Sequence, residues 1–231
     1  MASPFFRLAS PSREALAPFE PLLRRYALLL AETNAKARLT GPTSAEGLWE
    51  EHILDALVAL PLLPREGAVV DVGTGGGLPG LAWALVRPGL TVTLVDSIAK
   101  KAAALEGIVK DLAITNAVVR SVRSEVVALE RRETFLVATA RAVASADVVA
   151  ELLSPLVAPG GSLLAFKGPS AEEELRPGQG RWGELGLGEP EIFPYGLGGK
   201  SLCVVRWFKE APCPGRFPRR AGMALKRPWW R

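Results

Sequence analysis

The sequence predicts an α/β fold built on a doubly wound, mostly parallel, seven-stranded sheet. Two observations carry this. Short runs rich in valine and leucine recur at Ala68–Val72, Thr91–Val95, Ala117–Ser121, Phe135–Thr139 and Ser162–Phe166, and stretches of helical length separate them. That alternation is expected of parallel strands joined by helical crossovers. The first run also ends in a glycine-rich turn, within V-V-D-V-G-T-G-G-G-L-P-G from Val69 to Gly80. In such folds this turn is where the backbone approaches a ligand.

The elements follow in order. Phe19–Leu30 is leucine-rich, has Pro18 and Pro21 near its start, and predicts a helix. Thr43-Ser44-Ala45-Glu46 is placed to cap a second helix over Glu46–Leu60, stopped by Pro61. Together they suggest an N-terminal helical extension over residues 1–64, ahead of a central domain over residues 65–209. Pro79 suits the first turn of the next helix, where no amide donor is needed. Arg87-Pro88-Gly89 ends that helix, and further helices are expected at Ile98–Leu112, Ser124–Arg131 and Ala146–Leu156. Pro159-Gly160-Gly161 predicts a turn into the fifth strand. Residues 168–188 suggest a loop with a short helix at Glu172–Leu175. The last strands, Glu191–Phe193 and Ser201–Trp207, have no helix between them and are expected as an antiparallel pair at one edge.

No apolar run approaches the ~18 residues of a membrane span. The amino terminus lacks the continuous apolar core of a signal peptide, so a cytoplasmic location and no membrane partner are expected. Two cysteines are too few for a disulfide framework and lack the partners of a metal site. Cys203 reads as a core residue, and Cys213, between prolines, as a free thiol. The net charge of +4 is uneven, because Arg206–Arg231 holds eight bases against one acid, with Trp207, Phe208, Phe217, Trp229 and Trp230 among them. A basic, aromatic tail over residues 210–231 fits nucleic acid, since cations attract phosphates and rings stack on bases. The same composition fits a solvated tail, or one that packs its tryptophans on the domain.

The glycine turn begins at Gly73 and contains Gly75 and Gly77, and its stretch Gly75-Gly76-Gly77-Leu78-Pro79-Gly80 formally matches G-x-G-x-x-G, which invites a dinucleotide reading. Asp71 argues against it, because a pyrophosphate at the helix amino terminus is disfavoured by nearby negative charge. S-adenosyl-L-methionine carries an ammonium and a sulfonium, so acids beside the loop favour it. Asp96, which ends the second strand, is placed for ribose hydroxyls. D-V-G-T-G with a second acid at that point suggests a Rossmann-like class I methyltransferase. Each acid has a structural reading as well: Asp71 bonding loop amides, and Asp96 capping the next helix. Ser124 and Glu125 follow the third strand, where a backbone amide and a carboxylate can meet adenine; Glu125 equally suits a first helical turn. After the fourth strand there is no Asn/Asp-Pro-Pro-aromatic motif of amine methylation, and no cysteine nucleophile falls in the loops. Arg141 there is a candidate for a phosphate or the cofactor carboxylate, or for a surface ion pair. His52, the only histidine, lies three residues before Asp55, a spacing that suggests a local hydrogen bond.

These motifs in this order resemble the RsmG/GidB family, bacterial 16S ribosomal RNA guanine-N7 methyltransferases. The resemblance rests on N-A-K-A-R-L-T (Asn34–Thr40), H-I-L-D (His52–Asp55), the Asp71–Gly80 turn, L-V-D-S-x-x-K-K (Leu94–Lys101), R-S-E (Arg123–Glu125), R-A-V-A (Arg141–Ala144), F-K-G (Phe166–Gly168) and F-P-R-R-A-G (Phe217–Gly222). The family usually has tryptophan at the position of Thr33 and asparagine at that of Arg38. The resemblance implies that Gly73 and Leu78 line the cofactor site, that Ser124 and Glu125 lie near adenine, and that Arg141 is in the pocket. It implies S-adenosyl-L-methionine as cofactor, 16S ribosomal RNA or the small ribosomal subunit as partner, and no metal. Guanine N7 carries a lone pair and no proton, so no general base is required, and no catalytic residue is assigned. For RNA contact the expected residues are Arg219 and Arg220 of the tail, with Lys167 and His52 near the pocket mouth. Removing residues 211–231 is expected to weaken RNA binding and spare the cofactor. The rival readings are a nicotinamide-dependent oxidoreductase and a non-catalytic RNA- or cofactor-binding module.

Overall fold

The computed structural model describes residues 7–41 and 44–231. The segment ahead of the sheet folds as α1 (Arg13–Leu16), α2 (Glu20–Ala37), α3 (Ala45–Leu48) and α4 (Leu54–Leu57), with a π-helical turn, Trp49–Ile53, between α3 and α4. Leu23, Tyr26, Ala27, Leu30 and Asn34 form the buried face of α2, at the three- and four-residue spacing of one helical stripe. The helix therefore runs past Leu30 to Ala37. Its end is held by Asn34, whose Oδ1 accepts from the Thr40 amide at 2.9 Å and whose Nδ2 donates to the Thr40 carbonyl at 3.0 Å. Arg38 caps it in the left-handed region, at φ +50. Asparagine adopts that conformation readily, a physical reason for its use there in the resembling family.

The expected single helix over Glu46–Leu60 is instead broken. Ser44 Oγ accepts from the Gly47 amide at 3.1 Å, as a cap should; Thr43 lies outside the described residues. The wide turn that follows keeps Trp49 and Ile53 buried while His52 and Asp55 reach the cleft described below. π-Turns inside helices often mark functional sites.

The central part runs β1 (Gly67–Val72), α5 (Gly80–Val86), β2 (Leu90–Val95), α6 (Ala99–Asp111), β3 (Ala117–Arg120), α7 (Ser124–Glu130), β4 (Phe135–Arg141), α8 (Ala146–Leu153), β5 (Val157–Lys167), α9 (Ala171–Leu175), β6 (Glu191–Leu197) and β7 (Lys200–Phe208). Among the described residues the sheet has seven strands, in the order β3-β2-β1-β4-β5-β7-β6. β1 to β5 are parallel, and β7 lies antiparallel between β5 and β6. Pro159-Gly160-Gly161 does not precede the fifth strand but lies within it, at a register shift against β4. Pro79 caps α5 rather than opening it. The chain order reverses between β1 and β4, so a crevice opens beyond the carboxyl ends of these two strands.

Alternation along the strands feeds two cores. On β1, Val69 faces one core and Val70 and Val72 the other. The first core joins the N-terminal helices to α5 and α6. α5 is buried on every side, and Trp83 Nε1 donates to the Ala56 carbonyl at 2.7 Å, tying the extension to the domain.

The second core takes in the tail, which holds α10 (Met223–Lys226). Cys213, Phe217 and Trp229 are buried, and Trp182 stacks obliquely on Trp207 and Trp229 with ring centres 5.4 and 5.6 Å away. Of the readings open for this segment, the packed tail is the one observed. Among the described residues no helix is long and apolar enough to cross a membrane.

Candidate functional site

The crevice holds a cleft of about 780 Å3, lined by the glycine turn (Gly73, Thr74, Gly75, Gly76, Leu78), Asp96, Arg141, Lys167 and, from the helical extension, His52 and Asp55. A smaller cavity of about 120 Å3 adjoins it, lined by Val72, Ser124, Glu125, Val143 and the tail residues Gly222, Ala224 and Leu225. The two share Gly73 and Asp96.

Gly73 sits where β1 meets β4. Its φ is +70, and a Cβ there would lie 2.5 Å from Val143 Cγ2, so only glycine fits. Gly77 differs from expectation. A Cβ on it would meet Leu105, Leu81 and the Tyr26 hydroxyl, and it lies outside both linings. It allows the turn to pack against the helices. The Tyr26 hydroxyl donates to the Gly76 carbonyl at 2.7 Å, so α2 also fixes the turn.

Asp71 requires a correction. It is fully buried and lines neither cavity. Its Oδ2 accepts from Thr74 Oγ1 at 2.7 Å and from the Gly80 amide at 2.9 Å, clamping both ends of the turn. Burial pushes its carboxyl up to about 6, against the lowering effect of those two hydrogen bonds. The acid that reaches the ligand space is Asp96. Its Oδ2 accepts from the Gly75 amide at 3.1 Å and its Oδ1 from the Ile98 amide at 2.9 Å. Asp96 thus holds the turn ahead of α6, whose N-cap Ile98 has no side-chain cap, and lines both cavities.

Ser124 Oγ donates to Glu125 Oε2 at 3.2 Å, and the Gly222 amide donates to Glu125 Oε1 at 2.9 Å. Arg141 is not a surface ion pair. Its Nη1 donates to Asp55 Oδ2 at 2.9 Å, and the Tyr195 hydroxyl donates to Asp55 Oδ1 at 2.6 Å. Burial, then the Asp55 carboxylate, hold the Tyr195 phenol well above its ordinary range. With Asp55 so engaged, the expected local bond to His52 does not form, and His52 Nδ1 is buried with no partner among the described residues. Burial and the Arg141 guanidinium lower the imidazole to about 4, so it is neutral at neutral pH.

The residues expected to meet RNA divide. Lys167 Nζ pairs with Glu174 at 2.8 Å and donates to the Ala144 carbonyl. Arg219 is also occupied, with Nε and Nη2 each 2.6 Å from the carboxylate of Glu151, which is 3% exposed. Arg220 is exposed and has no ion pair among the described residues, and Lys226 and Arg227 are exposed beside it. Lys209 is buried against Glu133 and Ser154. The tail is therefore part of the domain, and removing residues 211–231 would open the second core rather than detach an arm. Asp55 and Gly222 stand in motifs noted above, but their pairings, like that of Tyr195, are not legible in the sequence, because the partners lie 86, 140 and 97 residues apart.

The sequence of residues 20–189 matches the family model GidB, rRNA small subunit methyltransferase G. Two similar curated relatives carry the name ribosomal RNA small subunit methyltransferase G. The one from Thermotoga neapolitana is 38% identical over 196 residues, covering 84% of this chain and 86% of the relative. The one from Streptomyces coelicolor is 39% identical over 205 residues, covering 87% and 85%. Among solved structures, a mutant of the 16S rRNA (adenine(1408)-N(1))-methyltransferase from Catenulisporales acidiphilia, with cosubstrate SAM, superposes with a TM-score of 0.51 at 18% identity, over 64% of this chain and 87% of that one. That likeness is one of fold. A turn that admits only glycine at the β1–β4 switch point, an acid ending β2 and a match across most of the chain converge: the chain belongs to the GidB family, rRNA small subunit methyltransferase G.

Proposed function

We propose that the two joined cavities hold S-adenosyl-L-methionine and present its methyl group to N7 of a guanine in small-subunit ribosomal RNA. By family the chain is an S-adenosylmethionine-dependent methyltransferase of small-subunit rRNA. The observation that carries the assignment within the site is the meeting of the cavities at Gly73 and Asp96. The residues fit the cofactor: a backbone approach where a side chain is excluded, a carboxylate at the shared edge for ribose hydroxyls, and Ser124 and Glu125 in the smaller cavity for adenine. The larger cleft then receives the methionine end and the target base.

Bound there, the cofactor supplies an electrophilic methyl group. Guanine N7 needs no deprotonation, so the protein's residues act by position. Leu78 and the Gly73–Gly76 backbone shape the floor. Arg141, fixed by Asp55, sets a positive charge in the cleft. His52, neutral at neutral pH, lines the cleft and is placed for the base or its ribose. In the tail, Arg220, Lys226 and Arg227 are exposed and without an ion pair among the described residues, and are placed to meet phosphates. A ribosomal RNA substrate accords with a cytoplasmic location.

The test is to incubate the protein with S-adenosylmethionine and small-subunit RNA, free or in the subunit, and map the product by mass spectrometry. N7-methylguanine at one position is expected. Hydride transfer with a nicotinamide cofactor, or cofactor binding without methylated RNA, would overturn the reading.

A further inference from the structure

The tail is expected from sequence to serve RNA, yet its middle borders the smaller cavity. Gly222, Ala224 and Leu225 line that cavity together with Asp96 and Glu125. The segment is pinned on both sides. Before it, Arg219 makes its two bonds to Glu151 and a third, of 2.5 Å, to the Arg227 carbonyl. After it, Trp229 Nε1 donates to the Asp147 carbonyl and Trp230 Nε1 to Asp147 Oδ2, each at 2.9 Å. Between these anchors the chain forms a strap that borders the cavity.

Two details of the strap point to a ligand. The Gly222 amide and Ser124 hydroxyl each take one oxygen of Glu125 and so fix the carboxylate plane. A carboxylate has about four acceptor positions, so two remain for a donor such as an exocyclic amine. Leu225 lines the cavity while 64% exposed, although Ala224 beside it is 5% exposed. A large apolar side chain left open at a cavity edge gains from a flat apolar face placed against it.

Resting on the cofactor reading above, we propose that Gly222–Leu225 is the outer wall of the adenine subsite, with Leu225 covering the base and the Gly222 amide orienting Glu125. The C-terminal strap is then a cofactor-positioning element, and cofactor affinity depends on residues over a hundred positions beyond the glycine turn.

The test titrates S-adenosylhomocysteine and adenosine into the full chain by calorimetry. Leu225→Ala is expected to weaken both several-fold and Leu225→Asp more than tenfold, with the melting temperature of the unligated protein unchanged because the side chain is largely exposed. Asp96→Ala serves as the reference for the cavity itself. If Leu225→Asp binds adenosine within twofold of the parent while Asp96→Ala has lost it, the strap is not the wall and the cofactor reading stands. If Asp96→Ala also binds unchanged, the cofactor reading fails with it. Hydrogen exchange on the unmodified chain reads the same contact without a substitution. The Gly222–Lys226 amides should slow on saturation with adenosine, and unchanged exchange overturns the proposal.

Discussion

Arg141 and Asp55 lie 86 residues apart in sequence and meet at 2.9 Å, side chains 14% and 9% exposed, where the end of β4 faces the helical extension. With Tyr195 on the other carboxylate oxygen, the pair ties three parts of the chain together at the floor of the cleft.

Breaking that pair leaves a buried charge without its partner. Arg141→Met is expected to destabilise the fold by about 3–5 kcal/mol in denaturant titration. Adding Asp55→Asn removes the stranded charge and keeps an acceptor for Tyr195, so the double variant should recover much of the loss. A double variant no more stable than Arg141→Met would show that the pair is not the tie.

Gly73→Ala places a methyl group 2.5 Å from Val143 Cγ2 at a left-handed backbone. The clash should cost about 1–3 kcal/mol and the backbone about 1–2 kcal/mol. Val143→Ala in the same chain removes the clashing carbon and should restore only the first part. Additive effects of the two substitutions, measured by urea unfolding, would argue against the contact.

Asp71 has its folded value raised from 3.8 to about 6. Between those values the folded state binds the proton that the unfolded state has released, so stability falls as pH rises from about 4 to 6 and stays lower above it. The shift of about two units corresponds to at most about 3 kcal/mol. Asp71→Asn keeps an oxygen for Thr74 and Gly80 and should flatten the stability profile in that window. A profile identical to the parent's would rule out Asp71 as its source.

His52 has the opposite sign. Its folded value is lowered from 6.5 to about 4, so the stability it contributes is present above 6.5 and is lost as pH falls through 4. As the chain's only histidine, its imidazole proton resonances are assignable without mutation. They should titrate near pH 4; a midpoint near 6.5 would mean that the ring is solvated.

Neutralising Arg220, Lys226 or Arg227 should lower the salt dependence of RNA binding by about 0.7–0.9 in logarithmic slope for each phosphate that is no longer paired. Arg219→Met should leave that slope unchanged while destabilising the fold, because Glu151 is then stranded. A reduced slope with unchanged stability would return Arg219 to the RNA surface.

Local sequence alone sets the alternation of strands and helices, the place of the glycine turn, and the acid ending β2. Each is written in short periodic or adjacent residues, as in Val69–Gly80 and Thr91–Asp96, and local geometry reads such patterns directly. The antiparallel edge was legible for the same reason, since too few residues join β6 to β7 for a crossover. Which way a side chain turns at a strand end was decided by tertiary structure. Asp71 faces the interior because the turn it precedes brings Thr74 and Gly80 to its carboxylate, and of these two acids it is Asp96 that lines the cavities. Charge counting placed Arg219 and Arg220 together, but only packing assigns one to Glu151 and leaves the other exposed. Pairings such as Asp55 with Tyr195, or Glu125 with Gly222, join residues 140 and 97 positions apart. No periodicity encodes them, because they exist only once the sheet, the helical extension and the strap have closed around the same crevice.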